Sequence, residues 1–303
     1  MLHVNHRPRD FDEVVGNSST VSSLSSMFSR EREKIPHTFL LTGPSGCGKT
    51  TIARIIRRKL GCSKADYFEI NSADFRGIDM VRDIIQRMHY QPSKGEVRVW
   101  LIDECHQLSK DAQHAFLKAL EEPPPHVYFI LATTEPEKLL PTIRNRCSRF
   151  AVERASEKAL AKLIQRVCEE NGVEIGDAVK NAVIGKADGC PRACLLMLDS
   201  VIGMDEPSQL KAVKKWEEAQ AEVIELCRLL INRAGWSSIA PVVKNLKEEP
   251  ESVRRAVLGY ASSCMLNNSV SAFAVMEAFE APLYDIGKPG LVMACFRASQ
   301  KRG

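Results

Sequence analysis

Between His37 and Val152, short β-rich runs alternate with stretches whose apolar residues recur every three or four positions. The runs "TFLLT", "YFEI", "VRVWLI" and "VYFILA" carry few or no polar positions, which is how strands buried on both faces read. The helix-period stretches between them predict helices on both faces of a parallel sheet. One such stretch follows Lys49 and is expected to bury Ile52, Ile55, Ile56 and Leu60 before Gly61 stops it. Another begins at Ser109 and carries Ala112, Ala115, Phe116, Ala119 and Leu120 on one face. It ends at "EEPPP", since proline cannot continue a helix.

After "RFAVERAS" only helical spacing remains, first through Ala159, Leu160, Leu163, Ile164 and Val167, then in two further helices around 178–187 and 191–201. The stretch "GMDEPSQ" at 203–209 reads as a linker. Beyond it Val213, Trp216, Val223, Ile224, Cys227 and Leu230 predict long amphipathic helices. The expected fold class is α/β, with an α/β domain at 1–154, a small helical domain at 155–204 and an all-helical domain at 205–303. No internal repeat or low-complexity tract interrupts this outline.

Composition narrows the class. With 303 residues, 44% of them hydrophobic and 26% charged, the chain has the material for two or three domains. Its apolar runs fall far short of the roughly 20 residues of a membrane helix, and "MLHVNHRPRD" lacks the apolar centre of a signal peptide. No membrane association and a cytoplasmic location are expected. The ten cysteines include no C-x-x-C pair and read as reduced core thiols. Cys190 and Cys194 in "GCPRAC" are not followed by ligands at zinc spacing. The net charge of +4 lies in the first half, where residues 1–154 hold 23 Lys and Arg against 19 Asp and Glu. That bias permits a nucleic-acid surface without requiring one.

The strongest chemical signal is "GPSGCGKTT", from Gly43 to Thr51, set between an apolar run and a helical stretch. Gly43, Gly48, Lys49 and Thr50 satisfy G-x-x-x-x-G-K-[ST], so the backbone of Gly43, Pro44, Ser45, Gly46, Cys47 and Gly48 is expected to wrap phosphates. Lys49 supplies a point charge to the β and γ oxygens, and the helix N-terminus at Thr50 and Thr51 favours an anion. The hydroxyl of Thr50 is expected on Mg²⁺. In "VRVWLIDECH", Asp103 ends a buried strand and can hold the metal through water, while Glu104 can polarise an attacking water. His106 reads as a structural neighbour of this pair. A third run ends in Thr133 and Thr134, where a hydroxyl can reach the γ-phosphate. Arg146 and Arg192 follow in "PTIRNRCSRF" and "GCPRACLLMLD"; by themselves they read equally as surface cations.

Together these residues resemble the clamp-loader branch of the AAA+ ATPases, which includes the bacterial DNA polymerase III gamma/tau subunit and the small subunits of replication factor C. The resemblance covers nearly the first 200 residues, and "LSKDAQHAFLKALEEPP" is its most specific stretch. It implies an AAA+ P-loop core, a helical lid and an oligomerising collar. It also implies ATP and Mg²⁺ as cofactors, and Arg7, Pro8 and Val15 of "HRPRDFDEVVGN" bordering the adenine. Thr134 then takes the sensor 1 position and Arg192 the sensor 2 position. Arg146 matches the arginine that reaches into a neighbouring subunit's ATP. Arg76, in "NSADFRG", and Lys110 are the expected DNA contacts. The implied partners are a sliding clamp, primer-template DNA, other copies of the chain and at least one further loader subunit, in a bacterial or phage-infected cell.

The chain departs from the family in three respects. The Ser-Arg-Cys motif reads Asn145, Arg146, Cys147, which removes the serine hydroxyl. Only Cys62 lies between the two ATP motifs, so the four-cysteine zinc module is missing and no zinc is expected. The single helical tail makes the length closer to a replication factor C or phage-type subunit. Two alternatives compete: a branch-migration motor, which would carry a winged-helix domain at the C-terminus, and a ring subunit that binds nucleotide with little hydrolysis.

Overall fold

The computed structural model describes residues 1–72, 77–246, 248–266, 270–283 and 286–300. The chain divides into two compact units, Met1–Gln209 and Leu210–Gly303.

The first unit is built on five parallel strands, β1 (Thr38–Thr42), β2 (Tyr67–Asn71), β3 (Arg98–Asp103), β4 (Val127–Thr133) and β5 (Ser148–Ala151), in the order β2-β3-β4-β1-β5. Its helices are α1 (Leu2–Asn5), α2 (Ser18–Phe28), α3 (Lys49–Lys59), α4 (Ile78–Met88), α5 (Lys110–Glu121), α6 (Pro141–Asn145), α7 (Glu157–Asn171), α8 (Asp177–Ala187) and α9 (Pro191–Val201). Alternate residues of each strand feed two cores. On one face Phe39, Leu41, Val99, Leu101 and Ile130 meet Leu24 of α2 and Ile52, Ile55 and Ile56 of α3. On the other, Leu40, Trp100, Ile102, Phe129 and Leu131 meet Ile84 of α4, Phe116 of α5 and Ile143 of α6. Every residue of β4 is buried, as its unbroken apolar run requires.

The expected helices after the loop and after Ser109 form as read. Leu60 caps α3, Gly61 follows it at φ 72°, and the Ser109 side chain accepts a hydrogen bond from Ala112 N–H at the start of α5. Two details differ from expectation. Strand β5 went unread, because only Phe150 of its four residues is buried. The stretch 203–209 is not all linker, since α10 (Glu206–Ile231) begins inside it.

The second unit holds most of α10 together with α11 (Trp236–Asn245), α12 (Pro250–Leu266), α13 (Val270–Ala278) and α14 (Gly287–Gln300). Leu226 and Leu230 of α10, Ile239 of α11, Val257 of α12, Phe279 just after α13 and Cys295 of α14 share one core. Ile224, expected to be apolar-facing, is 42% exposed. Among the described residues no helix is long and apolar enough to cross a membrane.

Candidate nucleotide site

The order of the strands decides where chemistry can gather. Because β1 lies between β4 and β5 while the chain after α3 runs to β2 at the far edge, a crevice opens at the carboxyl ends of β1, β4 and β3. Three motifs fall there: Gly43–Gly48 after β1, Asp103 and Glu104 at the end of β3, and Thr133 and Thr134 at the end of β4. The loop is tied to its neighbour by Gly43 N–H donating to Thr133 O at 3.2 Å.

Gly43, Gly46 and Gly48 stand at φ 143°, 74° and 111°, a region where a side chain is strained. At Gly43 a Cβ would fall 1.9 Å from Val152 O, and at Gly46 2.4 Å from Cys190 Sγ. Around Gly48 nothing stands within 4 Å of that position. The loop is therefore packed against its neighbours at Gly43 and Gly46 and open at Gly48. Lys49 Nζ turns back onto the loop and donates to Gly43 O at 2.8 Å and Pro44 O at 3.0 Å. It is only 6% exposed, and burial pulls its pKa below the ordinary lysine value while Glu104 and Asp103 oppose the shift. An ammonium desolvated in this way is poised for an anion.

Thr50 Oγ1 donates to Asp103 Oδ2 at 2.8 Å, which brings together the hydroxyl and carboxylate expected to hold Mg²⁺. Asp103 Oδ1 accepts Glu104 N–H at 2.9 Å. Glu104 itself sits at φ 49°, a left-handed backbone that costs a non-glycine residue about 1 kcal/mol and sets its side chain apart from the strand direction. The Thr134 hydroxyl donates to Glu104 Oε2 at 3.4 Å.

Lys49, Thr50, Asp103 and Glu104 line a cleft of about 280 Å³, while Gly43, Pro44 and Thr134 are not among its lining residues. Arg7, Pro8 and Val15 form part of its wall, as do Ser45 to Thr51, Asp103, Glu104 and Arg192. Arg192 reaches it from α9, with its backbone N–H 3.4 Å from Gly46 O and its side chain exposed. Several lining residues were not anticipated. His3, His6, Val14, Leu163 and Leu195 also line the cleft, as do Arg54 and Glu69, which pair at 2.8 Å. Leu163 and Leu195 lie on helical stretches whose spacing announced only a core. His6 holds the N-terminal segment against α7 through Glu170 Oε2 at 2.7 Å.

Arg146 is not among the cleft residues; its guanidinium donates to Thr142 O at 2.9 Å and to the Glu121 carboxylate. Lys110 is the exposed first residue of α5. Arg76 lies outside the described residues. His106 proves to be far more engaged than a neighbour, with both ring nitrogens in polar contact.

A model of the DNA polymerase III delta subunit family matches residues 64–156. The gamma/tau subunit of DNA polymerase III from Mycobacterium bovis is 36% identical over 224 residues, 66% of this chain and 38% of that protein. The tau subunit from Bacillus subtilis is 34% identical over 217 residues, again covering 65% of this chain and 38% of the relative. The chain thus spans well under half the length of these relatives. Among solved structures, the Thermotoga maritima RuvB Holliday junction branch migration motor aligns with a TM-score of 0.58 at 22% identity, covering 78% of this chain and 84% of that one. The likeness to the RuvB motor shows a shared fold, and about two thirds of the chain is similar in sequence to gamma/tau subunits of DNA polymerase III.

Proposed function

We propose that this chain is an ATP-hydrolysing subunit of a DNA sliding-clamp loader, one of several in an open ring with core, lid and collar at 1–154, 155–204 and 205–303. In this reading ATP binding lets the ring grip and open the clamp, and hydrolysis on primer-template DNA releases it. The observation that carries the reading is the kinship to gamma/tau subunits over about two thirds of the chain, beside a cleft lined by the phosphate loop, Asp103 and Glu104.

Mg²⁺–ATP, held by Lys49, Thr50 and Asp103, would supply the γ-phosphoryl group, and the metal would offset the charge that develops on its oxygens. Lys49 Nζ exchanges the Gly43 and Pro44 carbonyls for phosphate oxygens. Thr50 and Asp103, already in contact, are the metal-holding pair. Glu104 polarises the attacking water, Thr134 senses the γ-phosphate, and Arg192 brings the lid helix onto the phosphates. Arg7, Pro8 and Val15 border the adenine. Arg146 acts on the ATP of an adjacent subunit, which accords with its place outside its own cleft. Lys110 at the start of α5 meets DNA phosphates, and Arg76 is assigned the same role.

Steady-state ATP hydrolysis measured at low salt without DNA, with single-stranded DNA and with a primer-template junction tests this. Preferential stimulation by the junction, in the presence of clamp and partner subunits, is the expected result; equal rates on every DNA would overturn the loader assignment. The RuvB-like fold keeps a branch-migration motor as the second reading, and strand displacement from a four-way junction would favour it. A subunit that binds without hydrolysing would lose no turnover on Glu104→Gln.

A further inference from the structure

His106 has a side chain only 4% exposed, yet its surroundings are polar on both edges. Nδ1 lies 3.0 Å from Thr133 Oγ1 and 3.4 Å from Glu104 Oε2. Nε2 lies 2.9 Å from Gln107 Nε2 and 3.2 Å from Glu135 Oε1. The other oxygen of Glu135 is held by Lys138 Nζ at 2.7 Å. Thr133 is itself fully buried, and its hydroxyl oxygen accepts Glu135 N–H at 3.0 Å.

Burial lowers the pKa of the ring, against Glu104, Glu135 and Glu137, which raise it, and with Lys138, which lowers it. A neutral imidazole carries one N–H, and its position is set by what the other nitrogen accepts. Nε2 faces the Gln107 amide at 2.9 Å and Glu135 Oε1 at 3.2 Å; with the amide N–H donating to it, the ring proton sits on Nδ1, between Thr133 Oγ1 at 3.0 Å and Glu104 Oε2 at 3.4 Å. The Thr134 hydroxyl reaches the same carboxylate oxygen.

We infer that His106 is a positioning residue for Glu104: its Nδ1–H and the Thr134 hydroxyl converge on Oε2, hold the carboxylate in one orientation and leave Oε1 for the attacking water. This rests on the ATPase reading above, and adds to it a residue that touches neither nucleotide nor water. Among the described residues no bond engages Oε1. A small misplacement of a catalytic group costs up to about 100-fold in rate, so the contact has a kinetic consequence without a share in nucleotide binding.

The test uses the full chain with the halves of the imidazole replaced separately. His106→Asn keeps an amide where Nδ1 stands, His106→Gln keeps one where Nε2 stands, and His106→Ala removes both. Single-turnover ATP hydrolysis, fluorescent-ATP affinity and Tm are measured on each. The expected result is a fall of about 10- to 100-fold in the hydrolysis rate for Ala and Gln, about 3-fold or less for Asn, and unchanged affinity. In a Glu104→Gln background His106→Ala adds no further loss. Equal losses for Asn and Gln that follow Tm, or better retention by Gln than by Asn, overturn the inference. Long-range ¹H–¹⁵N spectra of the histidine rings give a readout free of turnover. A His106 ring protonated at Nδ1 whose Nδ1 resonance moves in Glu104→Gln supports it; a ring protonated at Nε2 and indifferent to Glu104 overturns it. Should the wild-type chain hydrolyse no ATP, the ATPase reading fails by itself and the spectra still decide the placement of His106.

Discussion

The Arg146 guanidinium pairs with the carboxylate of Glu121, so the residue after α6 is anchored to the last residue of α5. Arg146 Nη1 also donates to Thr142 O at 2.9 Å, which fixes the fork at two points. An arginine held in this way is presented outward with little conformational freedom left to lose.

If Arg146 serves a neighbouring site, Arg146→Ala leaves ATP affinity unchanged and lowers DNA-stimulated hydrolysis about 10³-fold. Mixing it with Glu104→Gln subunits restores part of the rate, because an intact Glu104 can then meet a neighbour's intact Arg146. Mixed rings as inactive as either parent would sink the trans assignment.

Glu121→Ala removes the anchor without touching either active centre. The pair is 34% and 46% exposed, so the expected stability change is under about 1 kcal/mol. Hydrolysis is expected to fall about 10-fold while Tm stays within about 2 °C, the rate loss coming from an arginine that must order itself. A paired calorimetric and kinetic measurement checks both.

Gly43→Ala should destabilise the first unit. Its Cβ would press on the carbonyl of Val152, whose N–H is bound to Thr42 O at 2.7 Å, so the obstacle is backbone and cannot swing away. The expected cost is about 3 kcal/mol, read as a lower denaturant midpoint. A Gly48→Ala control meets open space and pays only for its φ of 111°.

In the second unit Glu251 is 4% exposed and accepts from Arg254 at 2.8 Å and from Leu283 N–H at 2.8 Å. The Arg254 hydrogen bonds outweigh burial and bring its pKa down to about 2. A carboxyl lowered on folding stabilises the native state above its unfolded pKa of about 4.3 and loses that contribution as pH falls toward the folded value. Between pH 5 and pH 2 the wild type should therefore lose stability more steeply than Glu251→Gln, although the variant starts lower at pH 7. Parallel pH profiles of urea midpoints would contradict this.

How legible all this was in the sequence differs by element. The phosphate loop, α3 and α5 could be read because their signals are local: a motif, a 3.6-residue period, a serine cap and a proline stop. Strand β5 could not, since "SRFA" buries one side chain and depends on β1 for its pairing. The start of α10 falls within the stretch 203–209 expected as a linker; Asp205 Oδ2 accepts Ser208 N–H at 3.3 Å, a helix-opening role for residue types that linkers share. Gln113, not among the residues of the apolar face expected on α5, is 2% exposed and joins Leu108 O at 3.1 Å to Leu140 N at 2.9 Å. His106 was underrated for a similar reason. Its partners at Thr133 and Glu135 are far away in sequence and meet it only through the pairing of β3 with β4.

The buried thiols give the molecule a clock of its own. Desolvation pushes Cys194 in the first unit and Cys295 in the second to about 12, and Cys227 to about 11. In the closed protein hardly any thiolate exists at neutral pH, and a sulfhydryl reagent must wait for the chain to open. The alkylation times of Cys194 and Cys295 therefore record how often each unit breathes, and Cys47, lying in the phosphate loop with its thiol also raised by burial, reports whether the loop is gripped or slack.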